Sequence, residues 1–277
     1  MKKETFFTIC SIFMIVTCLG RWSIESYAKD ERGGNLAVCK TSDKKVADCN
    51  KANSAADDDS SDDDPRGNFD YVSLFDSPDK LLKLDKTAPI WASRDRKNVL
   101  LGGVICLREG LLEFFACRKN SKEHESIVAL DIPPHLIHAS LLAIGAKQGA
   151  PAKYDPEFTP PSGEKIEIEV RWFDEKTKEL KKARAQEFVL ENESGKTMRV
   201  SWVFTGGLFG VDPDGKKYYL ANVTGEIFGV SNFPGSVLDV PLESSNDNSE
   251  LCYTPNTEVI PPIGTNVLLV LSKIDAR

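Results

Sequence analysis

Histidine is scarce in this chain. Three occur in 277 residues, at positions 124, 135 and 138, so any imidazole chemistry is confined to one stretch. Positive charge is in deficit too: 35 Lys and Arg face 42 Asp and Glu, a formal net charge of −7. With no basic stripe to offset it, the chain is expected to repel nucleic acid and anionic lipid. No CxxC pair and no Cys/His spacing of the zinc-finger or ferredoxin type occurs, which argues against a structural zinc or an iron–sulfur cluster. The GxSxG elbow, the GxxxxGK[ST] phosphate loop, GxGxxG and HExxH are missing as well. The familiar scaffolds of hydrolase, nucleotide and zinc-protease chemistry are therefore lacking. Beyond residue 28 no run is apolar enough to span a bilayer.

What is present begins with an address. Lys2 and Lys3 precede the apolar run FFTICSIFMIVTCLG, stopped by Arg21, and Ser26-Tyr27-Ala28 forms a small-x-small cleavage signature. Residues 1–28 thus read as a secretory signal peptide, placing the mature protein in the periplasm or on the cell surface. A lipid anchor at Cys18 is not favoured, because Ile15-Val16-Thr17 lacks the usual leucine and small residue. Cleavage removes Lys2, Lys3 and Arg21 but only Glu4 and Glu25, so the mature charge moves by one to about −8. Residues 29–68 hold few large apolar side chains and the run AADDDSSDDDPRGN. Self-repelling aspartates of this kind read as a disordered acidic spacer, without the DxDxDG pattern of a calcium loop.

Of seven cysteines, Cys10 and Cys18 leave with the signal, and Cys39, Cys49, Cys106, Cys117 and Cys252 remain. An odd number in an oxidising compartment leaves at least one free, liganded or paired to another chain. Cys39 and Cys49 can close a small loop together. If Arg108-Glu109-Gly110 folds a hairpin, Cys106 and Cys117 stand more than ~10 Å apart along the paired strands, too far for a direct bridge. Cys252 can then pair with either.

Residues 69–277 have the composition of one folded domain. Short β-rich segments dominate: 98–107, 111–118, 126–131, 164–173, 183–190, 198–205, 217–221, 226–230 and 265–271. Alternation is clearest in Lys165-Ile166-Glu167-Ile168-Glu169-Val170, which makes a half-exposed strand. Asp212-Pro213-Asp214-Gly215 is a chain reversal, and the aromatic strands 199–204 and 217–220 could line a groove, although Trp202 and Phe204, at alternate positions, are more simply core. One helix is expected over about 132–146, with prolines in its first turn and Leu136, Ile137, Leu141 and Ile144 on one face. The fold class expected is α+β: a mostly antiparallel β-sheet with one main helix packed on it.

The polar stretch Cys117-Arg-Lys-Asn-Ser-Lys-Glu-His-Glu-Ser126 is the candidate site. Cys117 and His124 flank a short loop and could share one transition metal ion, Zn, Cu or Fe, with Glu123 or Glu125 as a third donor. Those two glutamates point opposite ways in an extended segment, so one at most joins. The bland alternative is a solvated turn, and a third is recognition of an organic or peptide ligand. His135 and His138, three apart on the helix, form a second and weaker metal candidate, although helix histidines more often play a structural part. A thiol nucleophile at Cys117 is conceivable, but nothing in the sequence supplies an oxyanion hole.

Several ordered blocks carry a resemblance: Cys106-Leu107-Arg108-Glu109-Gly110, Leu112-Glu113-x-Phe115-x-Cys117, Lys122-Glu123-His124-Glu125-Ser126, His138-Ala139-x-Leu141-Leu142-Ala143-x-Gly145-Ala146, Trp202-Val203-Phe204-x-Gly206 and Thr257-Glu258-x-Ile260-Pro261-Pro262-x-Gly264-Thr265. The chain resembles the YdjY-domain family of exported bacterial proteins over roughly Ile90 to Leu271. The resemblance implies a secreted or envelope location and one compact domain, and it brings no activity with it. The function expected is an exported binding or accessory module whose partner is an envelope protein or a small ligand. A metal- or thiol-dependent enzyme and a purely structural surface protein are the alternatives.

Overall fold

A computed structural model of the chain describes residues 69–242 and 252–274. The expected signal peptide, the acidic spacer and the Cys39–Cys49 loop lie outside the described residues. The first strands are β1 (Leu81–Lys83), β2 (Ile90–Ser93), β3 (Asn98–Ile105), β4 (Phe114–Arg118) and β5 (Ser126–Leu130), followed by helix α1 (Pro134–Ala143). Next come β6 (Gln148–Ala150), β7 (Ser162–Gly163), β8 (Lys165–Phe173), β9 (Leu180–Arg184), β10 (Val189–Glu191), β11 (Trp202–Phe204), β12 (Phe209–Val211) and β13 (Lys217–Tyr219). Helix α2 (Leu220–Thr224), β14 (Glu226–Gly229), β15 (Leu238–Asp239), β16 (Tyr253–Pro255) and β17 (Asn266–Lys273) complete the chain.

Eight strands close a ring in the order β3, β17, β8, β11, β15, β14, β4, β5, with β5 hydrogen-bonded back to β3. Neighbours run antiparallel except β14 with β15 and β4 with β5, which are parallel. The pair β1–β2 extends the sheet outward from β3, and β9 lies along β8.

This closure overturns the α+β expectation. The structure is 39% strand and 15% helical, a closed eight-stranded β-barrel with two α-helices among the described residues, not a sheet with a main helix laid over it. The physical reason lies in the sheet edges. An open sheet exposes two rows of unpaired backbone groups, whereas a closed one pairs them and covers its own inner face. A ten-residue α1 could not cover a sheet of this width. It contributes Ile137 and Leu141 to the core and touches α2.

Burial follows the pleat. In β8 the residues Ile166, Ile168 and Val170 are fully buried and alternate with more exposed charged residues, as expected for a strand with one wet face. β3 and β17 are apolar almost throughout, because both their faces are covered. Leu101, Ile105 and Leu269 join the main core, while Leu100, Leu268 and Val270 join a second, smaller cluster with Leu74 and Trp91. Phe69, Tyr71 and Phe75 pack against that cluster. Gly102 permits the approach, since a Cβ there would come within 2.8 Å of the Tyr71 ring. In the main core Phe115 meets Trp202 and Phe188, with ring centroids 5.4 and 6.3 Å away. The Trp202 indole N–H donates to the Gly229 carbonyl at 2.7 Å. Trp202 and Phe204 are thus core residues, and the DPDG turn closes the β12–β13 hairpin.

The expected hairpin at 108–110 does not form. β3 and β4 do not pair, because β5 lies between them: Val104 of β3 and Cys117 of β4 both stand opposite Ala129. β4 and β5 are parallel neighbours joined by residues 119–125 alone, whereas such crossovers ordinarily take about a dozen residues. The chain therefore turns sharply after Arg118, with Asn120 at φ 61°, and returns along the pair through the 3-10 turn Glu123–Glu125.

Candidate functional site

The short crossover decides what surrounds Cys117. Its thiol is fully buried, with the Lys122 amide hydrogen-bonded to it and the Cys106 thiol beside it. Neither cysteine is in a disulfide. Cys106, just past the end of β3, is half-buried and fixed in the ladder by its amide, which donates to the Ile127 carbonyl at 2.9 Å. Its S–H donates to the Ser126 carbonyl at 3.0 Å. The neighbouring Cys106 thiol holds the Cys117 thiol below its ordinary range in spite of burial. Cys106 is pushed far up by Cys117 and by desolvation.

A second cluster grows from the same segment. The Lys122 ammonium lies 2.9 Å from Glu125 Oε1 and 3.7 Å from Glu113 Oε2. It also sits over the rings of Phe114 and Phe233, 5.0 and 5.4 Å from their centroids, in cation–π range. Desolvation pulls Lys122 down, but the Glu125 hydrogen bond and the charges of Glu125, Glu113 and Glu226 outweigh it and raise its pKa. Glu113, 8% exposed, is pushed up to about 7 by burial and by the charge of Glu125. Glu226, opposite Cys117 on β14, is raised by burial, with Lys122 opposing. Glu113 is held from both sides: its amide donates to the Glu125 carbonyl, and its carbonyl accepts from Val230 and Ser231.

A family model described as the YdjY domain matches residues 90–272, about two thirds of the chain. The chain belongs to the YdjY-domain family. No curated protein matches, and no solved structure matches. The matched span covers the barrel strands, save Lys273 at the end of β17, and the whole 113–126 segment.

Within the YdjY domain the remaining sequence candidates are dispersed. His124 is exposed, with 76% of its side chain in solvent and its Nε2 3.6 Å from Glu125 Oε2. Glu123 is spent locally, accepting from the Asn120 and Ser121 amides and so fixing the turn. His135 Nδ1 meets the Asn222 side chain at the α1–α2 contact. His138 is buried, stacked on Tyr219 with centroids 5.4 Å apart and hydrogen-bonded to Gln148 Oε1 at 3.1 Å; desolvation lowers its pKa. His135 and His138 thus turn to different partners. Among the described residues no group of three or more His, Cys, Asp and Glu side chains converges as a metal site.

Sequence reasoning missed three participants. Cys106 was set apart from Cys117 by the assumed hairpin, and Glu113 and Glu226 carried no pattern of their own. A fourth group, Asp239, is fully buried on the short strand β15. Burial pushes its carboxyl well above the ordinary range, although it accepts from the Val240 amide. It stands beside Gly229 with Ser236, where a Cβ would crowd both side chains. That nest is interior, with Ser231, Asn232, Ser236 and Asp239 all fully buried.

Proposed function

We propose that this chain is an exported envelope protein whose YdjY domain works as a binding or accessory module, with the half-buried Lys122, Glu125 and Glu226 and the exposed His124 at its contact face. One observation carries the reading: three carboxylates, Glu113, Glu125 and Glu226, share one ammonium, Lys122, in a half-buried setting. Like charges gathered out of water weaken the fold and are a mark of a functional site. The barrel core needs none of them. Surplus negative charge at such a face fits a partner that presents an amine or another cation, and the acidic balance of the chain steers it there.

The test uses a fluorescent oligolysine peptide, an oligoglutamate control, and the full chain beside a Glu125→Gln/Glu226→Gln variant. Oligolysine is expected to bind and to lose at least fivefold in affinity in the variant, with no binding of oligoglutamate. Equal binding by both proteins, or none, sinks the proposal. The sequence's metal candidate at Cys117 and His124 is not carried forward, because Cys117 is fully buried while His124 faces solvent.

A further inference from the structure

We propose that the buried oxygen nest beside Gly229, built from Ser231, Ser236 and Asp239, is a cation site that takes a hard, oxygen-seeking ion of the sodium or calcium kind and fastens the loop between β14 and β15. The inference stands apart from the amine-binding face, since it uses none of that face's residues.

The nest follows from the topology. β14 and β15 are parallel neighbours, with Phe228 opposite Leu238, and residues 230–237 alone join them. Parallel pairs ordinarily need a dozen or more connecting residues. So short a return is folded inward and takes polar side chains with it: Ser231, Asn232 and Ser236 are fully buried, as is Asp239 where the chain re-enters the sheet.

Hydrogen bonds account for one side of the nest. Asp239 Oδ1 accepts from the Val240 amide at 2.8 Å and from Asn232 Nδ2 at 3.3 Å, and Asn232 Nδ2 also donates to the Val240 carbonyl at 3.0 Å. Three oxygens have no hydrogen-bond partner in the protein: Asp239 Oδ2, Ser231 Oγ and Ser236 Oγ. Buried polar atoms are seldom left so. The groups that carry them face one spot. The point where a Cβ would stand on Gly229 lies 2.7 Å from the Ser231 carbonyl oxygen, 3.0 Å from Asp239 Oδ1 and 3.2 Å from Ser236 Oγ, so a side chain here would fill the cradle that glycine leaves to them.

Charge chooses the ligand. Among the described residues no Lys, Arg or His pairs with Asp239, and a buried carboxylate without a counter-charge is costly. A cation supplies the charge that the chain does not. Oxygens that share such an ion at ~2.4 Å stand about 3.4 Å apart, wider than a good O–H···O bond, so a donor set made for an ion is not bonded to itself. One carboxylate among hydroxyl and carbonyl oxygens suits a hard ion, not the softer metals that seek imidazole or thiolate.

The test takes the full chain, treated with chelator and exchanged into a tetramethylammonium buffer, and melts it at constant ionic strength with sodium, potassium, calcium or magnesium chloride. Sodium or calcium is expected to raise Tm saturably, by at least about 3 °C. Asp239→Asn should abolish the response. Ser236→Ala removes a hydroxyl that the protein does not bond, so it should melt as the wild type does in the ion-free buffer yet need at least fivefold more of the ion for half the effect; it decides the matter even if Asp239→Asn does not fold. Equal melting in every salt assigns the nest to an ordered water or a protonated Asp239 and overturns the proposal. So does a rise with potassium or magnesium alone, an ion response that Ser236→Ala keeps at wild-type strength, or a Ser236→Ala protein already destabilised without the ion.

Discussion

Burial and the charge of neighbouring Glu125 push Glu113 up to about 7, and Lys122 only partly relieves it. Its folded pKa lies above the ordinary 4.5, so the native state holds a proton that the unfolded state has lost. Stability from this group is therefore full at low pH and falls as pH rises from about 4.5 through about 7. Thermal melts of the wild type should decline between pH 5 and pH 8. Glu113→Gln should flatten that decline and be the more stable protein at pH 8 by about 1–2 kcal/mol; an unchanged slope would show that Glu113 is not the group responsible. Lys122→Met should act in the opposite sense. It strips three carboxylates of their shared cation and should cost about 1–3 kcal/mol at pH 8, with the penalty shrinking toward pH 5 as Glu113 protonates, all measurable by urea denaturation at the two pH values.

Elements, more than residues, decided what could be foreseen. The alternation of Ile166, Ile168 and Val170 made β8 legible, and the apolar runs did the same for β3 and β17. Partner choice was not legible, because pairing is long-range. Arg108-Glu109-Gly110 has the chemistry of a tight turn, yet the register of β5 against both neighbours outweighed it. The same crossover makes a testable demand on Gly225. This residue has φ 80° and caps α2, and a Cβ on it would collide with the Ser121 side chain in the crossover. Gly225→Ala is expected to cost about 1–3 kcal/mol. Adding Ser121→Gly should recover the part due to collision and leave the part due to backbone strain, so two costs that simply add in a double-mutant cycle would refute the contact.

At the scale of the molecule the family span begins at residue 90, yet the structure continues outward from it. Phe69, Tyr71 and Phe75 cover Trp91, Leu100, Leu268 and Val270, and the Tyr71 hydroxyl donates to Asn266 Oδ1 at 2.9 Å. A fragment starting at residue 90 should therefore unfold at a lower urea midpoint than the full chain and bind a hydrophobic dye in its native state. Equal midpoints would make the 69–89 segment dispensable. If the export reading holds, N-terminal sequencing of the protein recovered from the envelope should begin at Lys29.

The ring order carries a consequence for how the barrel assembles. β17, the last described strand, is seated between β3 and β8 and pairs with both along nearly its whole length. Until it arrives, β3 and β8 each present an open edge. On a ribosome, where the chain emerges from its N-terminus, the barrel must wait as an unclosed arc for most of synthesis. Folding is then a late event, set by high contact order. A chain that stays open so long remains threadable, and equally exposed to wrong strand pairing.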